Sequence, residues 1–151
     1  MKIFKLLSVL MFVALSAGFV SCSNDDDDVN ADALLGTWQA THTEGWYENA
    51  KYPDENSKWN GSWAEFEEDS ELPSLITFSK DGKGTLKYNT EATPFTWGID
   101  GKALSFTITD GNDSETIQVT IVSQTDTQVV VEFSFKEGNH SQYEKTTYTK
   151  K

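Results

Sequence analysis

The side chains that could do chemistry in this chain are few, and their spacing argues against catalysis. His42 and His140 are the only imidazoles, and no H-x-x-x-H or H-E-x-x-H spacing joins them into a metal site. His42 is expected on the wall of a strand and His140 in a hairpin turn. The single cysteine, Cys22, excludes an internal disulfide and a multi-thiolate centre. Neither a G-x-S-x-G elbow nor a glycine-rich phosphate loop occurs. Glu65, Glu68 and Asp69 could gather on one face of a short helix, the arrangement that raises paired-carboxylate glycoside hydrolysis. Exposed helical acids more often serve solvation, so no catalytic residue, metal or cofactor is expected and the chain does not read as an enzyme.

Binding chemistry is better represented. Residues 44–73 hold Trp46, Tyr47, Tyr52, Trp59, Trp63 and Phe66 among many acids, with only Lys51 and Lys58 opposing them. Exposed Trp and Tyr flanked by carboxylates suit a sugar ring, stacked on its face and hydrogen-bonded at its edge. The same aromatics could anchor a protein partner, or form a local core that pins a long loop over the end of a domain. Ser62-Trp63-Ala64-Glu65 fits a capping box, which predicts a short helix to about Asp69 with Trp63 and Phe66 on one face.

The elements that must carry this insertion are strands. From Leu35 onward apolar residues alternate with polar ones, interrupted by Gly, Asn and Asp turns. Trp38, Ala40 and His42 share one face of the first strand, with Gly36 ahead of them to let the backbone turn and Trp38 to plug one end. Beyond the insertion come Ile76 and Phe78; Leu86 and Tyr88; Phe95, Trp97 and Ile99; Leu104, Phe106 and Ile108. Ile117, Val119 and Ile121 follow, then Val129, Val131, Phe133 and Phe135, and a more polar last strand over residues 142–149. Asp-Gly between alternating runs is a hairpin signal, because both residues can take positive φ. The fold class is therefore all-β: an eight-stranded antiparallel up-and-down barrel with a long aromatic insertion between strands 1 and 2, the alternative being a β-sandwich. Bulky inward residues in nearly every strand predict a packed lower barrel, with any cavity shallow and under the insertion.

Asp and Glu number 24 against 12 basic residues, all of them Lys. A net charge of −12 repels phosphates, so nucleic acid is not an expected partner. Lys2 and Lys5 precede an apolar run over residues 6–20 that is short for a membrane span, so it reads as a secretory signal and not an anchor helix. Phe19-Val20-Ser21-Cys22 resembles a bacterial lipobox, which implies cleavage before Cys22 and acylation of its thiol. Cleavage removes two Lys and no acid, taking the net charge from −12 to −14. Asp25-Asp26-Asp27-Asp28 reads as a solvated tether, without the spaced ligands a calcium site requires. The tract also resembles the acidic export signal of Bacteroidetes surface lipoproteins, which implies the outer face of the outer membrane. The expected organisation is a signal over residues 1–21, a tether over 22–32 reaching at most about 35 Å, and a barrel over 33–151.

Gly36-x-Trp38, Ile76-Thr77-Phe78-Ser79-Lys80-Asp81-Gly82 and Trp97-Gly98-Ile99-Asp100-Gly101 together resemble the lipocalin-like domains of Bacteroidetes lipoproteins. The resemblance implies a calycin-type barrel. True lipocalins cover the barrel-end Trp with an Arg from near the C-terminus; this chain has no Arg, and Lys145 or Lys150 could serve through its stem and a cation–π contact. The expected function is a non-catalytic surface binding module for a small molecule or glycan, held in the membrane through Cys22. The alternative is an accessory subunit docking on another envelope protein.

Overall fold

The computed structural model describes residues 29–88 and 90–151. Cys22, the signal segment and the Asp tract lie outside them. A short helix α1 (Ala31–Leu34) leads into nine strands: β1 (Gly36–Asn49), β2 (Ser57–Ser62), β3 (Leu75–Ser79), β4 (Lys83–Tyr88), β5 (Glu91–Asp100), β6 (Ala103–Asp110), β7 (Asp113–Gln124), β8 (Gln128–Glu137) and β9 (His140–Lys150). A one-turn helix α2 (Trp63–Phe66) follows β2. β1 and β3 to β9 run antiparallel in sequence order, and β9 returns to pair with β1, so the sheet closes on itself. This is the expected eight-stranded barrel, and closure excludes the sandwich.

The ninth strand was not anticipated, and it changes what the insertion is. One edge of β1 pairs with β9 along nearly its whole length. The other edge is shared: β3 takes Gly36 to Gln39, and β2 takes His42 to Tyr47. The first part of the insertion is therefore a hairpin that prolongs the barrel wall beyond β3. Its tip is tied by Asn49, whose Nδ2 donates to Glu55 Oε2 (2.7 Å) and whose Oδ1 accepts from Lys51 N and Tyr52 N (3.0 and 3.1 Å).

Two bulges correct the strand readings. Ala40 faces Tyr148 but His42 faces Thr147, so Thr41 is an extra residue. It reverses the alternation: Thr43, not His42, takes the inner position after Ala40 and is wholly buried. A second register shift at Ile121/Ser123 leaves Val122 42% exposed on the outside. The turns also depart from the simple Asp-Gly reading. Asp81 and Gly82 both have φ 67°, but at the β5–β6, β6–β7 and β8–β9 turns only Gly101, Gly111 and Gly138 are positive, the pattern of a II′ turn with Gly first.

The end of the barrel nearest α1 is closed by Trp38. Its ring is wholly buried and its Nε1 donates to Leu34 O at 2.7 Å. Lys150 Nζ stands 5.1 Å from the ring centre and donates to Ala33 O at 3.3 Å. Lys150 therefore fills the covering role; Lys145 instead pairs with Glu44 on the outer wall. Gly36, at φ 123°, leaves the space that the Lys150 stem uses: a Cβ there would stand 3.0 Å from Lys150 Cε. In the same core cluster as Trp38, Phe78, Phe95 and Phe106 meet at ring-centre distances of 5.3 to 6.1 Å, and Trp97 packs edge-on against Phe78 at 5.2 Å.

Candidate functional site: the open end of the barrel

The lower barrel is closely packed around Trp38. The void between Trp38, Phe78, Leu104, Val131 and Tyr148 is about 10 Å³, roughly one water's worth of space. A larger surface recess of about 400 Å³ lies beside α1 and the β3–β4 turn, with Asp32, Lys80, Asp81 and Trp97 among its lining. It is open on the outside of the barrel, and its one indole N–H is already committed to Ser79 O (3.3 Å) and Lys83 O (3.0 Å). The opposite end is different. Ile108, Ile117 and Phe133 pack against the core yet stay half-buried. Phe135 lies 6.2 Å from Phe133, also half-buried.

This mouth is organised by a carboxylate. On β9 the alternation Gln142, Glu144, Thr146, Tyr148 turns four buried side chains inward. A buried carboxylate is costly unless every lone pair finds a donor, and Glu144 has several. Oε1 accepts from Thr146 Oγ1 (2.8 Å), Thr43 Oγ1 (3.3 Å) and the Ser70 hydroxyl, and Oε2 accepts from Glu71 N at 3.0 Å. Two of these donors belong to the return leg of the insertion, so Glu144 clasps residues 70–73 across the mouth. The strap is held further by Tyr148, whose hydroxyl donates to Pro73 O at 2.7 Å, and by burial of Leu72 in the core cluster.

The clasp places two acids close together. Burial, and then the neighbouring Glu144, hold the Glu71 carboxyl above the ordinary carboxylate range; burial, then Glu71 and Glu144, push the Tyr88 hydroxyl up. A raised pKa means that docking Glu71 is most favourable when it is neutral. That contribution is fully present below its unfolded value and is lost as pH rises through the folded one. Glu71→Gln should therefore raise the melting temperature at pH 7 and change it little at pH 4. Equal shifts at both pH values would contradict this origin.

The six aromatics of the insertion do not form one surface. Trp59 and Trp63 are buried. Trp59 lies over Gly45, where a Cβ would stand 2.4 Å from its ring, and its Nε1 donates to Thr43 Oγ1 at 3.1 Å. The Trp63 indole N–H is buried without an acceptor among the described residues. Trp46 is on the outer wall, stacked with Tyr143 at 6.3 Å. Tyr47 is at the rim, where its hydroxyl shares a 2.6 Å hydrogen bond with His140 Nδ1; His140 opens β9 just after the turn. Tyr52 is exposed at the hairpin tip, and Phe66 is half-buried against Gly61. Local core is thus the role of Trp59 and Trp63.

The capping box holds, with Ser62 N donating to Glu65 Oε2 at 3.2 Å, but α2 ends at Phe66. Glu68 and Asp69 lie in the turn beyond it, so the three acids do not line one helical face. Among the described residues no group of three His, Cys, Asp or Glu side chains could hold a metal ion. Sequence reading missed Glu144, although counting in twos from the inward Tyr148 points to it.

A closed, eight-stranded, up-and-down barrel with a Trp-plugged end and an open, strapped end defines a calycin-type protein. The model of the lipocalin-like domain family matches residues 34–131, and the chain belongs to that family. The match stops before β9, so Glu144 and Lys150 lie beyond it. Among solved structures, the chain is similar to insecticyanin from the tobacco hornworm Manduca sexta, with a TM-score of 0.55 at 8% identity. The alignment covers 82% of this chain and 64% of insecticyanin, so the likeness concerns the fold. No curated protein sequence matches the chain.

Proposed function

We propose that the protein is a non-catalytic binding module that takes a small molecule or glycan at the strapped mouth of its barrel. The observation that carries this reading is the contrast between the two halves of the interior. The void beside Trp38 and Tyr148 in the lower half is about 10 Å³, while Phe133, Phe135, Ile108 and Ile117 stay partly uncovered at the open end. The family and the fold support a binding role; the location of the site is an inference from packing. A filled barrel also suits the second reading, an accessory subunit that docks on another envelope protein.

The proposed setting is the outer face of a Bacteroidetes outer membrane, supported by the lipobox-like ending at Cys22 and the Asp tract behind it. Each buried methylene of an acyl chain adds about 0.8 kcal/mol, so two or more chains make a stable anchor. Cys22→Ala should leave the precursor uncleaved by the lipoprotein pathway and unlabelled by radioactive fatty acid; label entering that variant would refute the anchor. Native mass spectrometry of protein purified from its host separates the two functional readings. A small-molecule adduct lost in Phe133→Ala/Phe135→Ala supports the mouth site. A stoichiometric protein companion with no adduct supports the accessory subunit.

A further inference from the structure

The strap occupies its seat as a ligand would. Leu72 comes from the segment between α2 and β3, which is neither helix nor strand, yet it is buried in the barrel's apolar cluster. Immediately before it, Glu71 N donates to Glu144 Oε2 at 3.0 Å and the Ser70 hydroxyl donates to Glu144 Oε1. An apolar group beside hydrogen-bond donors, set against a buried carboxylate, is the outline of a small molecule.

We propose that residues 70–72 are an internal surrogate for an apolar primary amine, which displaces the strap, lays its alkyl chain in the Leu72 seat and places its ammonium on Glu144. The inference rests on the mouth-binding reading and names its ligand class. An ammonium carries three N–H donors, enough to replace the Ser70 hydroxyl and the Glu71 N–H together. It also brings the positive charge that Glu144's hydroxyl and amide partners lack, so the hydrogen bonds to the carboxylate become an ion pair of opposite charges. Selectivity follows from the same residues. An alcohol offers one donor and no charge, and a carboxylate would bring a second anion against Glu144.

The strap can leave without breaking the barrel. β2 ends at Ser62 and β3 begins at Leu75, so residues 70–73 contribute no rung to the sheet. Apart from the clasp and the burial of Leu72 and Pro73, the strap is held by the Tyr148 hydroxyl on Pro73 O and a 3.4 Å contact from the Tyr88 hydroxyl to Glu71 O. Displacing Leu72 frees the apolar seat, and the amine competes with a tethered group of its own kind.

The test uses n-hexylamine, n-hexanol and hexanoate titrated calorimetrically at neutral pH. Hexylamine should bind the wild-type chain at least about tenfold more tightly than hexanol, with hexanoate weaker still. Leu72→Ala loosens the strap's hold, raises the open fraction and should tighten hexylamine by about tenfold. Glu144→Gln should erase the preference for amine over alcohol. Amide hydrogen exchange on the wild-type chain needs no variant to fold: saturating hexylamine should speed exchange at Glu71 and Leu72 by about tenfold or more. Equal binding of the three probes, no binding of any, or an amine preference that survives Glu144→Gln overturns the proposal. Hexylamine binding with both amides still protected also overturns it, and in that case leaves the mouth site itself standing.

Discussion

Trp38→Ala should destabilise the protein by about 3–5 kcal/mol, the range for truncating a large buried aromatic, and lower the melting temperature by roughly 10–20 °C. Two contacts converge on that buried ring: its N–H is satisfied by Leu34 O, and Lys150 lies over its face. Truncation would open the floor of the barrel and strip Leu34 and Lys150 of their partner at once. The neighbouring void is only about 10 Å³, and a packed surrounding of that kind relaxes little into a new cavity. Thermal melts of the two proteins give the answer directly. A variant melting within a few degrees of wild type would mean that the barrel floor is held by something other than this residue.

Glu144→Ala should cost about 2–5 kcal/mol, because the hydroxyls of Thr43, Thr146 and Ser70 and the N–H of Glu71 lose their acceptor, and each donor left buried and unpaired costs about 1–3 kcal/mol. The strap would be partly released, which lets some donors reach water and keeps the total below a simple sum. Glu144→Gln should cost less. It keeps one acceptor oxygen and the side-chain volume, and it removes the charge that opposes Glu71. Urea midpoints at pH 7 should therefore rank wild type above Gln above Ala. If Ala matched wild type, the carboxylate would not be the clasp.

Much of the barrel was legible because one apolar face repeats in seven of the strands. Phe78, Phe95, Phe106, Val119, Ile121, Val129 and Val131 are all inward and buried as their alternation implies. The failures come from places where pattern and position part. A single extra residue at Thr41 shifts the register, and a one-residue slip moves every later side chain to the other face; composition alone does not announce it. β2 carries Trp59 as its one buried residue and a Gly, too few apolar positions to establish a period.

The candidate site was least legible where it matters most. β9 buries Gln142, Glu144 and Thr146, so its polar alternation hides an inward face that hydropathy assigns to solvent. The aromatics of the insertion attracted attention as a set, yet their strand parity separates them: Trp59 faces in with Gly45, and Trp46 faces out with Tyr143. Type and proximity in sequence marked a region. Register decided which members of it meet.

A filled lower barrel with an open mouth makes a direct demand on ligand binding. A neutral apolar dye such as Nile red, titrated into the protein and into Phe135→Ser and Phe106→Leu variants, distinguishes the two ends of the interior. Uncovering or removing a buried aromatic is worth about 1.5–3 kcal/mol, and 1.4 kcal/mol is a factor of ten in affinity. Binding at the mouth predicts saturation at one dye per chain, weakened about tenfold or more by Phe135→Ser and unchanged by Phe106→Leu. Dye binding that ignores Phe135→Ser and falls with Phe106→Leu would place the ligand in the deep barrel and contradict the mouth site.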